Sequence, residues 1–303
     1  MSRRITAVAL GMAREYRQPR TPEDNLKYLE ESLAEMAGLK PDLVAVPEVF
    51  PYSGLPTLEK KPGLGTETLQ KLALRHRCWL VGSIYEKRQG RLYNTALLVN
   101  RAGKIAGRYD KIHLTDTELK RGVCPGRPDP EPLKTDFGRI GIQICFDVNW
   151  PDETRRLVER GAELIVFSSA FPAGRLLETL GFQNRVPIVS AVQQTPSGIL
   201  DNAGRWLDRT DRFSWWVTRV LDLESAVFHW DYQGDRLKAI RARYGDRIRI
   251  ETLGPEAWFI LEAADPELSI PAVAREFELR TYRRYIKDST DHQLKAAKKY
   301  YNK

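Results

Sequence analysis

Cys145 closes a short apolar strand in Gly138-Arg-Ile-Gly-Ile-Gln-Ile-Cys145-Phe-Asp-Val-Asn-Trp-Pro-Asp-Glu153. The strand is expected over 140–144, and a helix opens at Pro151, whose fixed φ suits a first turn. Asp152 and Glu153 then sit at the positive end of that helix, Gly161 stops it, and a further strand follows over 163–169. A thiol on a strand-to-helix bend faces backbone N–H groups, which favour the thiolate that attacks carbonyl carbon. The other role for a free cysteine at such a place is that of a small buried hydrophobe.

A thiol nucleophile needs a base for its proton and donors for the oxyanion it creates. Histidine is the usual base, yet the chain has only four. His76 lies at a charged helix end, His229 in an expected strand and His292 near the tail, which leaves His113 in a loop. Two other charged residues follow strands: Glu48 after Leu-Val-Ala-Val-Pro, and Lys111 after Ile-Ala-Gly-Arg-Tyr-Asp. A carboxylate held there can take a thiol proton, and a charged lysine can stabilise an anion. Taken singly, each is an ordinary surface charge at a strand end.

Together, Val46-Pro-Glu48, Tyr109-Asp-Lys-Ile-His-Leu114 and Gly141-Ile-Gln-Ile-Cys-Phe-Asp147 closely resemble the three signature segments of the nitrilase superfamily of carbon–nitrogen hydrolases. Their order and spacing are family-like, and the likeness continues through Trp150-Pro-Asp152 and Arg160-Gly-Ala-Glu163. It covers about residues 5 to 230 and fades beyond. The resemblance implies a four-layer αββα sandwich that pairs as a homodimer through the nucleophile-bearing region. It implies Glu48 as general base, Cys145 as nucleophile, Lys111 as cationic stabiliser and the Phe146 N–H as oxyanion donor. Glu118, in Thr117-Glu-Leu-Lys, matches a second glutamate found in many members, although the loop is short here. His113 matches a frequent position with a loop-stabilising role.

The chemistry so implied needs no metal and no organic cofactor. The substrate is a small-molecule amide or carbamoyl compound; the runner-up activities are nitrile hydrolysis and amide-dependent acyl transfer on the same triad. Val148-Asn149 replaces the arginines that precede Trp-Pro-acid in hydrolases of N-carbamoyl amino acids, which argues against that activity. Phe146-Asp147 stands where true nitrilases carry Trp-Glu, which points to amidase-type members. Asn149 and Trp150, after the nucleophile, and Phe171 and Arg175, in the loop after the next strand, are candidate substrate-binding residues.

Composition bounds the alternatives. At 303 residues, 42% hydrophobic and with seven tryptophans, the chain is a globular protein with a large core. No apolar run approaches the roughly 20 residues that span a bilayer. The start, Met-Ser-Arg-Arg-Ile-Thr-Ala-Val-Ala-Leu, stays apolar only to Ala13 before Arg14-Glu15, so it reads as a first strand, and the expected setting is cytoplasmic. Three cysteines lack CxxC spacing, which argues against zinc and against a disulfide framework. Cys78 reads as core packing, and Cys124 receives no role. The net charge of +8 raises nucleic acid, but acids are mixed among the bases and no binding motif appears. The basic tail 295–303 reads as solvated. A basic nucleic-acid binder, or a non-catalytic scaffold of the same fold, is the reading from another class.

The elements that must position these residues alternate as in a layered α/β fold. Strands are expected over 5–10, 43–46, a stretch ending at Tyr85, 92–99, one ending near Tyr109, and 187–192. A capped helix opens at Thr21-Pro-Glu with Leu26, Leu29, Leu33 and Met36 on one face, and another runs from Thr66 to about Arg77. Hairpins mixed with βα units argue against a simple doubly wound sheet, and no phosphate-binding glycine motif follows a strand. Later come a Trp-rich strand ending near Phe228, a helix over 235–244, strands over 248–252 and 257–262, and a final helix over 269–286. The expectation is one hydrolase domain over 1–303, with a core of about 1–230 and an extension over 231–303.

Overall fold

A computed structural model describes residues 2–12, 21–51 and 63–301. Ala13 with Arg14-Glu15, and the last two residues of the basic tail, lie outside the described residues. The chain forms two compact units, Ile5–Leu221 and Met1–Arg4 with Asp222–Lys303.

In chain order the elements are β1 (Arg4–Leu10), α1 (Pro22–Glu35), β2 (Leu43–Ala45), α2 (Leu64–His76), β3 (Trp79–Arg88), β4 (Arg91–Val99), β5 (Ile105–Asp110), α3 (Asp116–Lys120), β6 (Leu133–Lys134), β7 (Arg139–Ile144), α4 (Pro151–Glu159), β8 (Leu164–Ser169), α5 (Arg175–Asn184), β9 (Ile188–Val192), β10 (Gly198–Leu200), β11 (Trp206–Arg209), β12 (Trp216–Asp222), β13 (Ala226–His229), α6 (Leu237–Tyr244), β14 (Ile248–Leu253), β15 (Trp258–Ala263), α7 (Ile270–Glu276) and α8 (Tyr282–Tyr301).

The larger unit is an αββα sandwich. One sheet runs β12-β1-β2-β3-β4-β5 and the other β11-β10-β9-β8-β7-β6. In each, a parallel run built from βα units (β1-β2-β3, β7-β8-β9) passes into antiparallel neighbours. The mixed pattern of hairpins and crossovers is therefore real. Helix α1 opens on a capping box, in which Thr21 and Asp24 bond each other's backbone N–H groups, and Leu26, Leu29, Leu33 and Met36 are all buried. Burying each such side chain is worth roughly 1.5–3 kcal/mol. With α2 they cover the first sheet through Val8, Val44, Leu80 and Leu97. Helices α4 and α5 cover the second through Leu157, Leu177, Leu180, Phe167 and Ile188.

The inner faces of the two sheets meet through β2 and β3 on one side and β8 and β9 on the other. Hydrogen bonds stitch this layer at one end. The Ser168 hydroxyl donates to Val46 O (2.8 Å), and the Ser197 hydroxyl donates to Leu10 O (3.1 Å). The chain leaving β2 is thus tied to the end of β8, where the chemistry-bearing loops gather.

The smaller unit holds the antiparallel sheet β13-β15-β14 with α6 and α7, its core built on stacked Phe228 and Phe259 with Ile240, Leu261 and Val273. Two expectations are corrected here. The Trp-rich strand is two strands, β12 and β13, interrupted at Leu223–Ser225, where Ser225 N–H bonds Asp222 O (3.0 Å). The single helix over 269–286 is two, α7 and α8, and the second reaches Tyr301. Glu278 at the break has φ +50°, the Arg236 guanidinium donates to Phe277 O and Glu278 O (2.7 and 2.6 Å), and the Gln233 side chain pairs with the Arg280 backbone. Distant side chains satisfy the backbone groups that a continuous helix would have paired internally.

Candidate active site

Four of the residues singled out by chemistry gather just past the ends of β2, β5 and β7 and on the short helix α3. Glu48 lies three residues past β2 and is followed by Val49 at φ +46°, a left-handed conformation that a β-branched residue rarely adopts. The Val49 N–H bonds the buried Ser83 hydroxyl (2.8 Å), and the Glu48 carbonyl accepts from the Gln193 amide (2.6 Å), so the bend is held from two sides. Lys111 follows β5 directly, with its N–H on Asn94 O and its carbonyl on Gly126 N–H (2.9 and 2.8 Å). Gly126 has no alternative there, because a Cβ would lie 2.2 Å from Asp110 O.

Glu118 is the third residue of the five-residue helix α3, in a capping box with Thr115. Its Oε2 accepts the Thr115 N–H (2.9 Å), so the helix start itself orients the carboxylate. The Lys111 ammonium, only 2% exposed, donates to Glu48 Oε1 (2.9 Å) and to Glu118 Oε2 (2.8 Å). Burial alone would favour the neutral amine, but Glu48, Cys145 and Glu118 outweigh it and the lysine stays protonated above its usual range. Burial likewise opposes the charge of Glu118. Lys111, with the hydrogen bonds from Asn94 and Thr115, holds its carboxyl below the ordinary value all the same.

Cys145 begins a 3₁₀ turn, Cys145–Asn149, that separates β7 from α4, and it has φ +48°. The helix does open at Pro151, but the bend is this extra turn. The thiol is near enough to Glu48 and to the Ala170 N–H for both to act on its ionisation, and Ala170 N–H donates to Glu48 Oε2 (3.0 Å). The Ala170 N–H does favour the thiolate, as expected of a bend, but it is outweighed. Burial, then the negative charge of Glu48, pushes the thiol up to about 12, against the smaller opposing effects of Lys111 and Ala170. The protonated thiol is thereby favoured at rest.

Asp147 fastens this turn to the lysine segment. It is fully buried and accepts from Tyr109 OH (2.8 Å), His113 N–H (2.8 Å) and Ile144 N–H (3.0 Å). Burial raises its carboxyl to about 6 in spite of the three donors. An unfolded aspartyl group releases its proton near 3.9. The folded state therefore binds the extra proton between those values, and this group's contribution to stability falls as pH rises through that window. Asp147→Asn removes that slope and sets an NH₂ group against at least one of the former donors. Thermal melts at pH 4.5 and 7 are expected to show a loss of about 1–3 kcal/mol, larger at the lower pH. An unchanged melting temperature at both pH values rejects this role.

Residues 5–218 match the Carbon-nitrogen hydrolase family. The chain belongs to that family. The deaminated glutathione amidase of Bos taurus is 30% identical over 169 residues, 49% of this chain and 52% of that protein. The chain thus spans about half the length of the curated relatives it matches. The crystal structure of the Caenorhabditis elegans NitFhit protein superposes with a TM-score of 0.63 at 21% identity, covering 79% of this chain and 63% of that one. An amidase of Nesterenkonia AN1, from the nitrilase superfamily, gives 0.65 at 20% identity over 80% of this chain and 97% of its own. At such identities these likenesses bear on the fold, and they agree with the αββα sandwich.

Other residues singled out in this carbon–nitrogen hydrolase family member fall around the cluster. Asn149 is exposed and its amide folds back onto Phe146 O (3.0 Å). Trp150 stacks on His113 at 3.9 Å and meets Phe146 edge-on. His113 Nε2 lies 3.6 Å from Glu153, and burial, outweighing Glu153, keeps the ring below its usual range. Phe171 is half-buried, edge-on to Phe167, and Arg175 is exposed at the first residue of α5. Cys78 is buried packing as expected, and burial pushes its thiol up to about 12. Among the described residues no group of three His, Cys, Asp or Glu could hold a metal ion, and no helix is long and apolar enough to cross a membrane. Asn94 belongs to none of the signature segments, and Tyr109 and Asp147, which do, give no sign in the sequence of the hydrogen bond between them. For Asn94 the signal was a lone amide in the otherwise apolar half of β4.

Proposed function

We propose that this protein hydrolyses the C–N bond of a small amide or carbamoyl compound through a thioester on Cys145. The observation that carries the reading is the Cys145 thiol beside the Glu48 carboxylate, which Lys111 braces from its other side. With the thiol protonated, Glu48, Lys111, Glu118 and Cys145 sum to one negative charge. Moving the proton from sulfur to Glu48 keeps that sum, whereas releasing it to solvent adds a second negative charge to a buried site. Glu48 is therefore the base.

Cys145 sulfur attacks the carbonyl carbon as Glu48 takes its proton. An ammonium has three N–H donors; Glu48 and Glu118 take two, and the third meets the developing oxyanion together with the Phe146 N–H. Protonated Glu48 then donates to the leaving nitrogen, the C–N bond breaks, and ammonia or an amine departs from a thioester. Water, losing its proton to Glu48, attacks that thioester. The tetrahedral adduct expels the sulfur, which recovers the proton, and the acid leaves. The 30% identity to deaminated glutathione amidase favours an amide over a nitrile. The same reading carries a homodimer, which light scattering would measure directly, and a cytoplasmic setting.

The test is ammonia release across a panel of amides, carbamoyl compounds and nitriles, with Cys145→Ala in parallel. An amide or carbamoyl compound should be the best substrate, and the variant should lose at least about 10⁴-fold in kcat/KM. Exclusive turnover of nitriles would overturn the substrate class. Salt-sensitive binding to generic DNA, unaffected by Cys145→Ala and without any turnover, would favour the nucleic-acid binder.

A further inference from the structure

Asn94 is completely buried on β4, opposite Tyr85 of β3. Its single side-chain nitrogen donates to two carboxylates, Glu48 Oε1 at 2.8 Å and Glu118 Oε1 at 2.9 Å. Lys111 Nζ bridges the same pair, through Glu48 Oε1 and Glu118 Oε2, and Lys111 N–H is bonded to the Asn94 carbonyl. Two anions are thus clamped by one cation and one neutral amide. Two carboxylate acceptors demand the NH₂ end of the asparagine, which leaves its Oδ1 buried without a partner. Native cores rarely leave a buried carbonyl unpaired, and such exceptions cluster where function requires them.

We propose that Asn94 is a positioning residue which holds Glu48 and Glu118 at fixed places around Lys111, so that Glu48 stays aimed at Cys145. The inference rests on the reading of Glu48 as base and Cys145 as nucleophile. No other side chain of this size does the same. A second cation would neutralise Glu48 too strongly, and a carboxylate would put three anions around one lysine. An alcohol offers one proton where two are needed. The charged and titratable groups around the amide are Glu48, Glu118, Lys111 and Tyr85, and Cys145 acts on Lys111 and Glu48 rather than on the amide itself. Tyr85 OH is 3.4 Å from Glu118 Oε1, and burial, with the two carboxylates, keeps it protonated, so it does not duplicate the bridge to Glu48.

The test reads Cys145 alkylation by iodoacetamide, in which sulfur displaces iodide and Glu48 takes the thiol proton, quantified at the Cys145 peptide by mass spectrometry. Asn94→Asp is isosteric and replaces both donated protons with lone pairs. Its alkylation rate should fall at least thirtyfold at pH 8 and recover in part relative to the unaltered protein at pH 5.5, where the extra carboxyl loses its repulsive charge and its one proton can donate to one of the two glutamates. Asn94→Ala should slow alkylation without that recovery. A merely structural role would give equal losses at both pH values, and this outcome overturns the proposal. The unaltered protein supplies a readout free of folding losses. Both Asn94 side-chain amide protons should resonate downfield and exchange slowly, whereas a rapidly exchanging pair overturns the proposal. If Glu48→Gln alkylates like the unaltered protein, the reading of the base has failed. If Glu48→Gln is slow and both Asn94 variants react normally, only the role of Asn94 has failed.

Discussion

Glu48→Gln is expected to lower kcat/KM by about 10²–10⁴-fold while leaving the fold intact. The thiol titrates at about 12, pushed there first by burial and then by the Glu48 charge. Without a base, very little of such a thiol is ionised at neutral pH. The glutamine removes the negative charge that raises the thiol but not the burial, so only part of the deficit is recovered. What remains should climb steadily with pH, because hydroxide must now do the work of the carboxylate. A rate within a factor of three of the unaltered protein, with the same pH profile, would assign the proton to another group.

Lys111→Met carries the largest expected loss of stability. It leaves Glu48 and Glu118 buried and facing each other without their shared cation. Removing one partner from a buried ion pair costs about 3–5 kcal/mol. The dependence on pH should also reverse in sign. In the unaltered protein Glu118 titrates below its ordinary value, so its contribution is present at neutral pH and lost as pH falls through the folded-state value. With the lysine gone, burial and mutual repulsion raise both carboxyls, and stability falls as pH rises. Melting temperatures at pH 5 and pH 8 decide the point: relative to the unaltered protein at the same pH, the variant should lose more stability at pH 8 than at pH 5. Activity should drop by at least about 10²-fold with the oxyanion donor gone. An equal loss at both pH values contradicts the shared-cation arrangement.

The parts of this site that lay open in the sequence are those whose chemistry is local. Glu48, Lys111 and Cys145 each follow a strand that its own residues announce, but their roles, and that of Glu118, follow from the joint resemblance of their segments to the nitrilase superfamily. Asn94 reads as a poor strand residue, because its task appears only when β4 pairs with β3 and β5 and two loops from elsewhere arrive above it. Asp147 is similar: two of its three partners, Tyr109 and His113, are more than thirty residues away. The thiol's ionisation likewise depends on more than its local segment. The sequence shows the N–H groups at a bend, while the burial that outweighs them exists only in the folded chain. In the smaller unit, the break between α7 and α8 depends on Arg236 and Gln233, which no periodicity along the helix itself encodes.

The central claim is a covalent bond between Cys145 and the acyl group of the substrate. Its most direct test is acid quenching of the protein within the first turnovers of the best amide from the ammonia screen, followed by peptide mass spectrometry. The account predicts the acyl mass on the Cys145 peptide, released by hydroxylamine and absent from Cys145→Ala. Full turnover by Cys145→Ala, with no adduct on the unaltered protein, would contradict it.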